Sequence, residues 1–305
     1  MNLMPFSSPV DFEHGVAGDA AGEGLWFVFR GDRLLVEIGP PDTRPGDDPR
    51  VATRPSWARV PAHGALRESN KGLWSKPLRT LYLGVLGETP CWAAEVPADA
   101  PAPAGMSWEG LRTLFTVLED AHFALAGRAT QLVDWDRTHR YCGRCGTPTE
   151  PKADERVRVC PSCRLSVYPR VAPAVMALVR RGPEILLGRS PHFPPGMYSA
   201  LAGFVGPGET LEQCVQREVG EEVGIAVENL SYFASQPWPF PHSMMIAFVC
   251  DWAGGELRPD GVEIEDAKWF NVLQLPKIPS KISIARRLID AVVSQMIEDM
   301  RRAND

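Results

Sequence analysis

Two short cysteine pairs place the tightest constraint on how this chain folds. Cys142 and Cys145 form one Cys-x-x-Cys pair, and after 14 intervening residues Cys160 and Cys163 form a second. Each pair puts two thiolates on one tight turn, and four thiolates so arranged match the tetrahedral coordination of zinc. Because protein fills all four positions, none is left open for a reactive water. The sequence therefore predicts a structural Zn²⁺ site in a zinc-ribbon module over residues 137–170.

Two other interpretations of these cysteines stay open. The four thiols could be unrelated buried or redox-active groups, or the segment could be a nucleic-acid-binding ribbon. Residues 137–170 contain eight Lys or Arg against three Asp or Glu, an excess of five positive charges. A zinc ion held by four thiolates contributes two negative charges, which leaves an excess of about three. That modest surplus favours the structural interpretation and leaves an RNA-facing surface open.

Length and charge limit the remaining classes. The chain has 305 residues, enough for about two domains, and 44% of them are hydrophobic. Its net charge of −6 argues against a globally basic nucleic-acid binder. No apolar run approaches the roughly 18 residues of a membrane-spanning helix, and residues 1–29 contain no Lys or Arg. We therefore expect a protein without a membrane span or secretory signal, located in the cytoplasm.

The pattern before the cysteines changes from strand-like to helical. Residues 24–39 and 81–96 are typical of short hairpins, which predicts an N-terminal β-rich domain over residues 1–106. Ser107 is a predicted helix cap, because apolar residues recur at helical spacing after it. We expect a helical connector over residues 107–136.

The pattern after the cysteines predicts an α/β domain over residues 171–305. Strand-like runs at 174–180, 185–189 and 244–251 alternate with helical patterns at 211–223 and 284–300. The chain as a whole is therefore expected to be an α+β protein.

Clustered glutamates on the first of these helices indicate a divalent-metal site. Glu218, Glu221 and Glu222 stand at positions i, i+3 and i+4, so their carboxylates share one helix face. Such clustering is unfavourable unless cations lie between the carboxylates, and Mg²⁺ or Mn²⁺ prefer oxygen ligands of this kind. A solvated acidic helix face is the alternative.

The stretch from Gly203 to Ile225 resembles the Nudix box, Gly-x₅-Glu-x₇-Arg-Glu-aliphatic-x-Glu-Glu-x-Gly-aliphatic, at every defined position. The Nudix family hydrolyses nucleoside diphosphates linked to another moiety. The resemblance also implies the family's fold, a C-terminal α/β/α sandwich with a mixed sheet. It also implies that Arg217 orients the glutamates and that Glu222 activates water, with Glu218 and Glu221 in the same catalytic cluster. The implied Mg²⁺ or Mn²⁺ ligands are Ala202, through its backbone carbonyl, with Glu218, Glu222 and, further along, Glu263.

A proline-aromatic segment ten residues beyond the box narrows the resemblance. It runs Ser235-Gln-Pro-Trp-Pro-Phe-Pro-His-Ser243, and its prolines predict a stiff extended strip that presents aromatic faces and polar ends to a flat ligand. The segment resembles the motif of the NADH pyrophosphatase subfamily, whose members carry zinc module, box and strip in this order. The implied substrate contacts are Arg112, Tyr168, Phe204, Gln236, Pro237, Trp238, Pro239, Phe240, Pro241, His242, Ser243 and Ala285.

The resemblance implies a function. The expected activity is hydrolysis of the pyrophosphate of NAD(H) to NMN(H) and AMP, together with removal of the NAD cap from the 5′ ends of NAD-capped RNA. A homodimer is expected, in which Tyr168 acts in its own subunit's site or the partner's. The alternatives are a Nudix hydrolase of another nucleotide such as ADP-ribose, and a catalytically silent nucleotide- or RNA-binding protein.

Overall fold

The computed structural model describes residues 4–17, 23–40, 55–69 and 77–304. These residues group into two compact units. The N-terminal unit contains the described residues between 5 and 170 together with 239–242, and the C-terminal unit contains residues 171–238 and 243–304 with Met4. Among the described residues, no helix is long and apolar enough to cross a membrane.

The N-terminal unit is a β-sheet with helices and a ribbon after it. Its elements are β1 (Phe12–His14), β2 (Leu25–Arg30), β3 (Arg33–Ile38), β4 (Ala58–Arg59), α1 (His63–Ser69), β5 (Arg79–Leu86), β6 (Thr89–Glu95), β7 (Met106–Gly110), α2 (Leu111–Leu114), α3 (Asp120–Thr138), β8 (Glu150–Pro151), β9 (Arg158–Val159) and β10 (Ser166–Val167). Strands β1 to β7 share one sheet in the order β1-β5-β6-β2-β3-β4, with β7 paired to β3, and β10-β9-β8 form the ribbon sheet. The two predicted hairpins are confirmed as β2–β3 and β5–β6.

The prediction that Ser107 caps a helix is wrong. Ser107 lies in β7, where it pairs with Val36 of β3. The next residue, Trp108, is 5% exposed and packs in the core of this unit with Trp26 and Leu35. Burying a large indole stabilises the strand by more than the small helix propensity of these residues could offer. Helix therefore begins only at Leu111.

A buried ion network ties the ribbon to the rest of the N-terminal unit. Arg158 of β9 pairs with Asp136 of α3 and donates hydrogen bonds to the hydroxyl and carbonyl oxygens of Thr149, at 2.8 and 2.7 Å. Asp136 also pairs with Arg79 of β5 at 3.4 Å, and Arg79 pairs with Glu95 of β6 at 2.6 Å. Since these groups are largely buried, each charge depends on its partners to compensate for lost hydration.

The C-terminal unit is an α/β/α sandwich, as predicted. Its elements are β11 (Ala172–Arg181), β12 (Glu184–Arg189), β13 (Leu201–Phe204), α4 (Leu211–Val223), β14 (Ile225–Trp238), β15 (Ser243–Gly255), β16 (Asp266–Asn271) and α5 (Ile284–Asn304). The strand order is β14-β15-β11-β12-β16, with β13 paired to β11. The sheet is mixed, because β11 runs parallel to β15 and antiparallel to β12 and β13.

Alternation along β11 supplies a core to each helix. Side chains of successive strand residues point to opposite faces. Val175, Ala177 and Val179 pack in the core that contains the apolar side of α4, whereas Met176 and Leu178 pack in the core that contains α5. Helix α4 is thereby fixed with its apolar side on the sheet, with Glu222 buried and Glu221 exposed.

Candidate functional site

Helix α4 has well-defined ends, which set where its glutamates lie. The Thr210 hydroxyl accepts a hydrogen bond from the Gln213 amide at 3.2 Å, and the Gln213 side chain accepts one from the Thr210 amide at 2.9 Å. This capping box satisfies two amides that a helix start otherwise leaves unpaired. The helix ends at Gly224, whose φ of 74° lies in the left-handed region that favours glycine.

Glu222 is the most unusual residue of the helix because its carboxylate is buried without compensation. It is 5% exposed, and its Oε2 atom has no hydrogen-bond partner among the described residues. Burial raises the pKa of Glu222 to about 8, and the nearby carboxylates of Glu218, Glu263 and Asp260 add to the shift. An unpaired buried charge is costly, so a cation bound here would supply the missing partner.

Arg217 holds the carboxylates around Glu222. Its guanidinium pairs with both oxygens of Glu209, and its Nη1 atom lies 2.9 Å from both Glu218 and Glu221. It also donates a hydrogen bond to the Phe204 carbonyl at 3.0 Å. Hydrogen bonds with Arg217 and the Gly206 amide lower the pKa of Glu209 to about 2. The Arg217 guanidinium thus orders three carboxylates by charge-assisted hydrogen bonds.

Gly203 makes room for Glu218. A Cβ atom at Gly203 would lie 1.9 to 2.2 Å from the carboxyl atoms of Glu218, so a larger residue here would displace this carboxylate. The neighbouring Ala202 is exposed and pairs with Met176 of β11. The exposed Glu263 lies close enough to Glu222 to influence its pKa. The donor set is therefore all oxygen and mostly anionic, which fits Mg²⁺ or Mn²⁺.

The proline-aromatic segment differs from the predicted extended strip. Residues 235–238 are extended, in β14, the chain turns at 239–242, and Ser243 is the first residue of β15. Gln236 and Ser243, predicted to present polar groups to a ligand, are 0% and 6% exposed. The Gln236 amide donates to the Ile282 carbonyl at 2.8 Å and accepts from the Ile284 amide at 2.7 Å. Trp238 pairs with Ser243 across the two strands, and this pairing turns the strip into a hairpin.

Two other predicted contacts meet within the N-terminal unit. The Arg112 guanidinium lies 3.7 Å from the centre of the Phe240 ring, a cation–π stack. Phe240, with Pro239 and Pro241, also lines a cavity of about 240 Å³ beside α3, which contributes Asp134 and Arg137.

The structure does not bring the other predicted contacts into one group. Tyr168 and Phe204 are 55% and 60% exposed and belong to different units. Ala285 is buried at the start of α5. Pro237 and His242 are partly exposed. Their contact with a ligand stays a prediction.

The four cysteines form a tetrahedral cluster. Their sulfur atoms all lie within 4.8 Å of one another, the only such group of metal-ligating side chains among the described residues. The distances from Cys142 to Cys163 and from Cys145 to Cys160 are both 3.5 Å, close to the roughly 3.8 Å that Zn–S bonds of 2.3 Å imply. The sulfurs also accept backbone amide hydrogen bonds, from Arg144 to Cys142 and from Cys163 to Cys160.

Sequence reasoning missed several residues of these sites. Gly203 and Glu209 were recognised only as motif positions, although the first accommodates Glu218 and the second anchors Arg217. Asp260 was not singled out, because it belongs to no motif. Glu155 was also missed. A hydrogen bond with it raises the pKa of the Tyr168 hydroxyl.

Three family models match consecutive parts of this chain. Residues 23–135 match the NADH pyrophosphatase-like rudimentary NUDIX domain, residues 137–168 the NADH pyrophosphatase zinc ribbon domain, and residues 170–292 the NUDIX domain. The chain is 42% identical over 300 residues to the NAD-capped RNA hydrolase NudC of Deinococcus radiodurans, with 97% of both chains covered. The chain belongs to the Nudix hydrolase family.

Other relatives in the Nudix family carry the same description. The NAD-capped RNA hydrolase NudC of Chromobacterium violaceum is 53% identical over 208 residues, which cover 68% of this chain and 78% of that protein. The match to a rudimentary NUDIX domain also gives an identity to the N-terminal sheet, for which the sequence had suggested only a β-rich domain. The ribbon match and the four-cysteine cluster together support structural zinc.

Removing one thiolate is expected to release the zinc. We expect Cys142→Ser or Cys160→Ser to lose stoichiometric zinc and to melt at a lower temperature, because metal binding and folding of such a module are coupled. Metal analysis and calorimetry measure both effects, and Cys91→Ser provides a control at a buried thiol outside the cluster. Wild-type protein without zinc, or a Cys142→Ser variant that melts normally, would contradict the zinc site.

The raised pKa of Glu222 predicts a pH-dependent stability of the metal-free protein. The pKa of Glu222 is 4.5 in the unfolded chain and about 8 in the folded protein. The stability that the protonated Glu222 contributes is therefore fully present below pH 4.5 and is lost as the pH rises through 8. In EDTA, Glu222→Gln is expected to raise Tm by about 3 °C or more near pH 9 and to leave it unchanged near pH 5. Glu221→Gln, at an exposed and ion-paired position, is the control. An equal effect of Glu222→Gln at both pH values would disprove the assignment.

Proposed function

We propose that this chain is a metal-dependent hydrolase of the pyrophosphate of NAD(H), which yields NMN(H) and AMP, and that it removes the NAD cap from RNA by the same reaction. The observation that carries the proposal is the buried Glu222 carboxylate with an unpaired oxygen, close to the carboxylates of Glu218, Glu263 and Asp260, of which Glu218 is paired with Arg217. A pyrophosphate brings further negative charge to such a site, so cations are needed to neutralise both. The similarity to NAD-capped RNA hydrolases supports the substrate.

The residues of the site have separate roles in this proposal. Glu218, Glu222 and Glu263, with the Ala202 carbonyl, would hold Mg²⁺ or Mn²⁺. When bound, these ions neutralise the phosphate oxygens and lower the pKa of a bound water. Glu222 would accept a proton from the attacking water. Arg217 keeps the carboxylates oriented, and Glu221 forms one of its ion pairs.

Two features of the structure support the nucleotide-binding residues that the resemblance implies. Arg112 and Phe240 present a stacked cation and ring at the turn 239–242, and flat bases bind well to such surfaces. Gln236 fixes the backbone at Ile282 and Ile284, the start of α5, next to Ala285. On this basis we assign Arg112, residues 236–243 and Ala285 to dinucleotide recognition, and we propose Tyr168 and Phe204 as further contacts from the resemblance alone.

A side-by-side hydrolysis assay tests the function. Equal concentrations of NADH, NAD⁺, ADP-ribose and NAD-capped RNA are incubated with Mg²⁺ or Mn²⁺, and the products are separated. We expect NMN(H) and AMP from the dinucleotides and 5′-monophosphate RNA from the capped RNA, all faster than cleavage of ADP-ribose. A preference for ADP-ribose would favour the alternative hydrolase, and binding without cleavage would favour a silent nucleotide-binding protein.

Glu222→Gln is expected to lower kcat by a factor of about 10² or more, because it removes a charge and a proton acceptor from the metal cluster with little change in volume. The same substitution at the exposed Glu228, outside the box, is the control and is expected to be silent. Near-normal turnover of the Glu222 variant would refute the catalytic assignment.

We also propose a cytoplasmic homodimer in which Tyr168 stacks on the nicotinamide ring. A reducing compartment keeps the zinc thiolates available, and a stacking pair contributes about 1 kcal/mol. Tyr168→Ala is expected to weaken binding of NAD(H) more than binding of ADP-ribose, which lacks nicotinamide. Tyr141→Ala, at another exposed tyrosine of the ribbon, is the control. Equal weakening for both ligands would remove Tyr168 from the nicotinamide pocket.

Mixing two impaired variants tests the shared site. If Tyr168 acts across a dimer interface, exchange between Tyr168→Ala and Glu222→Gln subunits creates heterodimers with one intact site, and activity partly returns. No recovery despite demonstrated exchange would place Tyr168 in its own subunit's site. A monomer by light scattering would exclude the shared site.

A further inference from the structure

Asp260 connects two parts of the chain that supply carboxylates to the site. It lies in the loop between β15 and β16, and its backbone amide donates a hydrogen bond to the Glu222 carbonyl at 3.0 Å. The Arg258 amide donates to the Val223 carbonyl at 2.9 Å. These bonds satisfy carbonyls that the C-terminal end of α4 leaves unpaired. The loop is therefore attached to the very residue that carries the buried carboxylate.

The side chain of Asp260 closes the loop into a compact turn. Its Oδ1 atom accepts hydrogen bonds from the amides of Val262 and Ile264, at 3.1 and 2.9 Å. Both of its oxygens accept from the Glu263 amide, at 3.2 and 3.1 Å. The Gly261 amide donates to the Ile264 carbonyl at 3.1 Å. The turn thus fixes the backbone on both sides of Glu263.

The far end of this turn is held by the core. Ile264 is 7% exposed and packs with Val219 and Val223 of α4. Glu263 itself is exposed, so nothing in its own burial fixes its position. Its backbone position relative to α4 is set by the Asp260 hydrogen bonds on one side and by Ile264 on the other.

We infer that Asp260 is a positioning residue, which holds Glu263 at a fixed place relative to Glu222 so that carboxylates from a helix and a separate loop bind the same divalent cation. The inference deepens the proposed function and rests on it for the role of Glu263. The Asp260 oxygens already accept hydrogen bonds from three backbone amides, so we assign Asp260 to holding the turn and Glu263 to binding the ion. An ordered ligand loses less conformational freedom when the ion binds, and this raises the affinity.

Manganese binding without substrate tests this inference separately from catalysis. Free Mn²⁺ is measured by electron paramagnetic resonance during titration of the zinc-loaded protein and of its Asp260→Ala, Asp260→Asn and Glu263→Ala variants. We expect Asp260→Ala to weaken Mn²⁺ binding by a factor of about 10. Asp260→Asn keeps the Oδ1 acceptor and is expected to lie between Asp260→Ala and wild type. Glu256→Ala, on the same loop but in an exposed ion pair, is expected to bind like wild type.

A double-mutant cycle distinguishes positioning from a general structural effect. If Asp260 acts through Glu263, Asp260→Ala adds no further loss of Mn²⁺ affinity in the Glu263→Ala background. Metal-free melting curves check folding, and if Asp260→Ala does not fold, the same cycle is run with Asp260→Asn.

Three outcomes would overturn the inference. They are wild-type Mn²⁺ affinity in the Asp260 variants, a full additional loss in the double variant, and wild-type affinity in Glu263→Ala. Failure of the proposed function has a different signature, because wild-type protein would then bind Mn²⁺ with an affinity that depends on Glu263 and Asp260, without hydrolysing NAD(H).

Discussion

The site depends on how the protein compensates the repulsion between several carboxylates on one face of helix α4. Like charges at this spacing repel, and burial of Glu222 adds the cost of lost hydration. Arg217 offsets part of this by pairing with Glu209, Glu218 and Glu221 at once. It leaves the inner oxygen of Glu222 without a partner. The protein thus keeps one unsatisfied position, and a divalent cation fits it.

The surrounding fold positions these carboxylates. The apolar side of α4 packs on the β11 face with Val175 and Val179, and in this packing Glu222 is buried while Glu221 stays exposed. Gly203 in β13 has no side chain, so Glu218 can lie over the strand. The loop at Asp260 is bonded to the last turn of α4. A strand, a helix and a loop therefore each contribute one part of the donor set that we propose for the divalent cation.

The N-terminal unit has a different source of order. Its ribbon is built around four thiolates, and a chain of buried ion pairs through Arg158, Asp136 and Arg79 connects the ribbon to α3 and the sheet. Buried pairs of this kind stabilise little relative to apolar packing, but breaking one leaves an uncompensated charge. The network therefore makes the position of the ribbon on this unit specific.

The sequence by itself determined the features that local spacing encodes. The cysteine pairs gave the ribbon, the i, i+3, i+4 glutamates gave the acidic face of α4, and alternating apolar runs gave the main strands. Each depends on residues within a few positions of one another, so periodicity and ligand spacing suffice.

Tertiary structure decided the features that depend on contacts between distant segments. Ser107 lies in a strand because Trp108 is buried against β3, and the proline-aromatic segment becomes a hairpin because Trp238 pairs with Ser243. Glu222 becomes the buried carboxylate while the adjacent Glu221 stays exposed, because the helix packs on one side only. Asp260 gains its role through a hydrogen bond to a residue 38 positions earlier in the sequence. Desolvation and long-range pairing have no local signature, so only the folded chain reveals them.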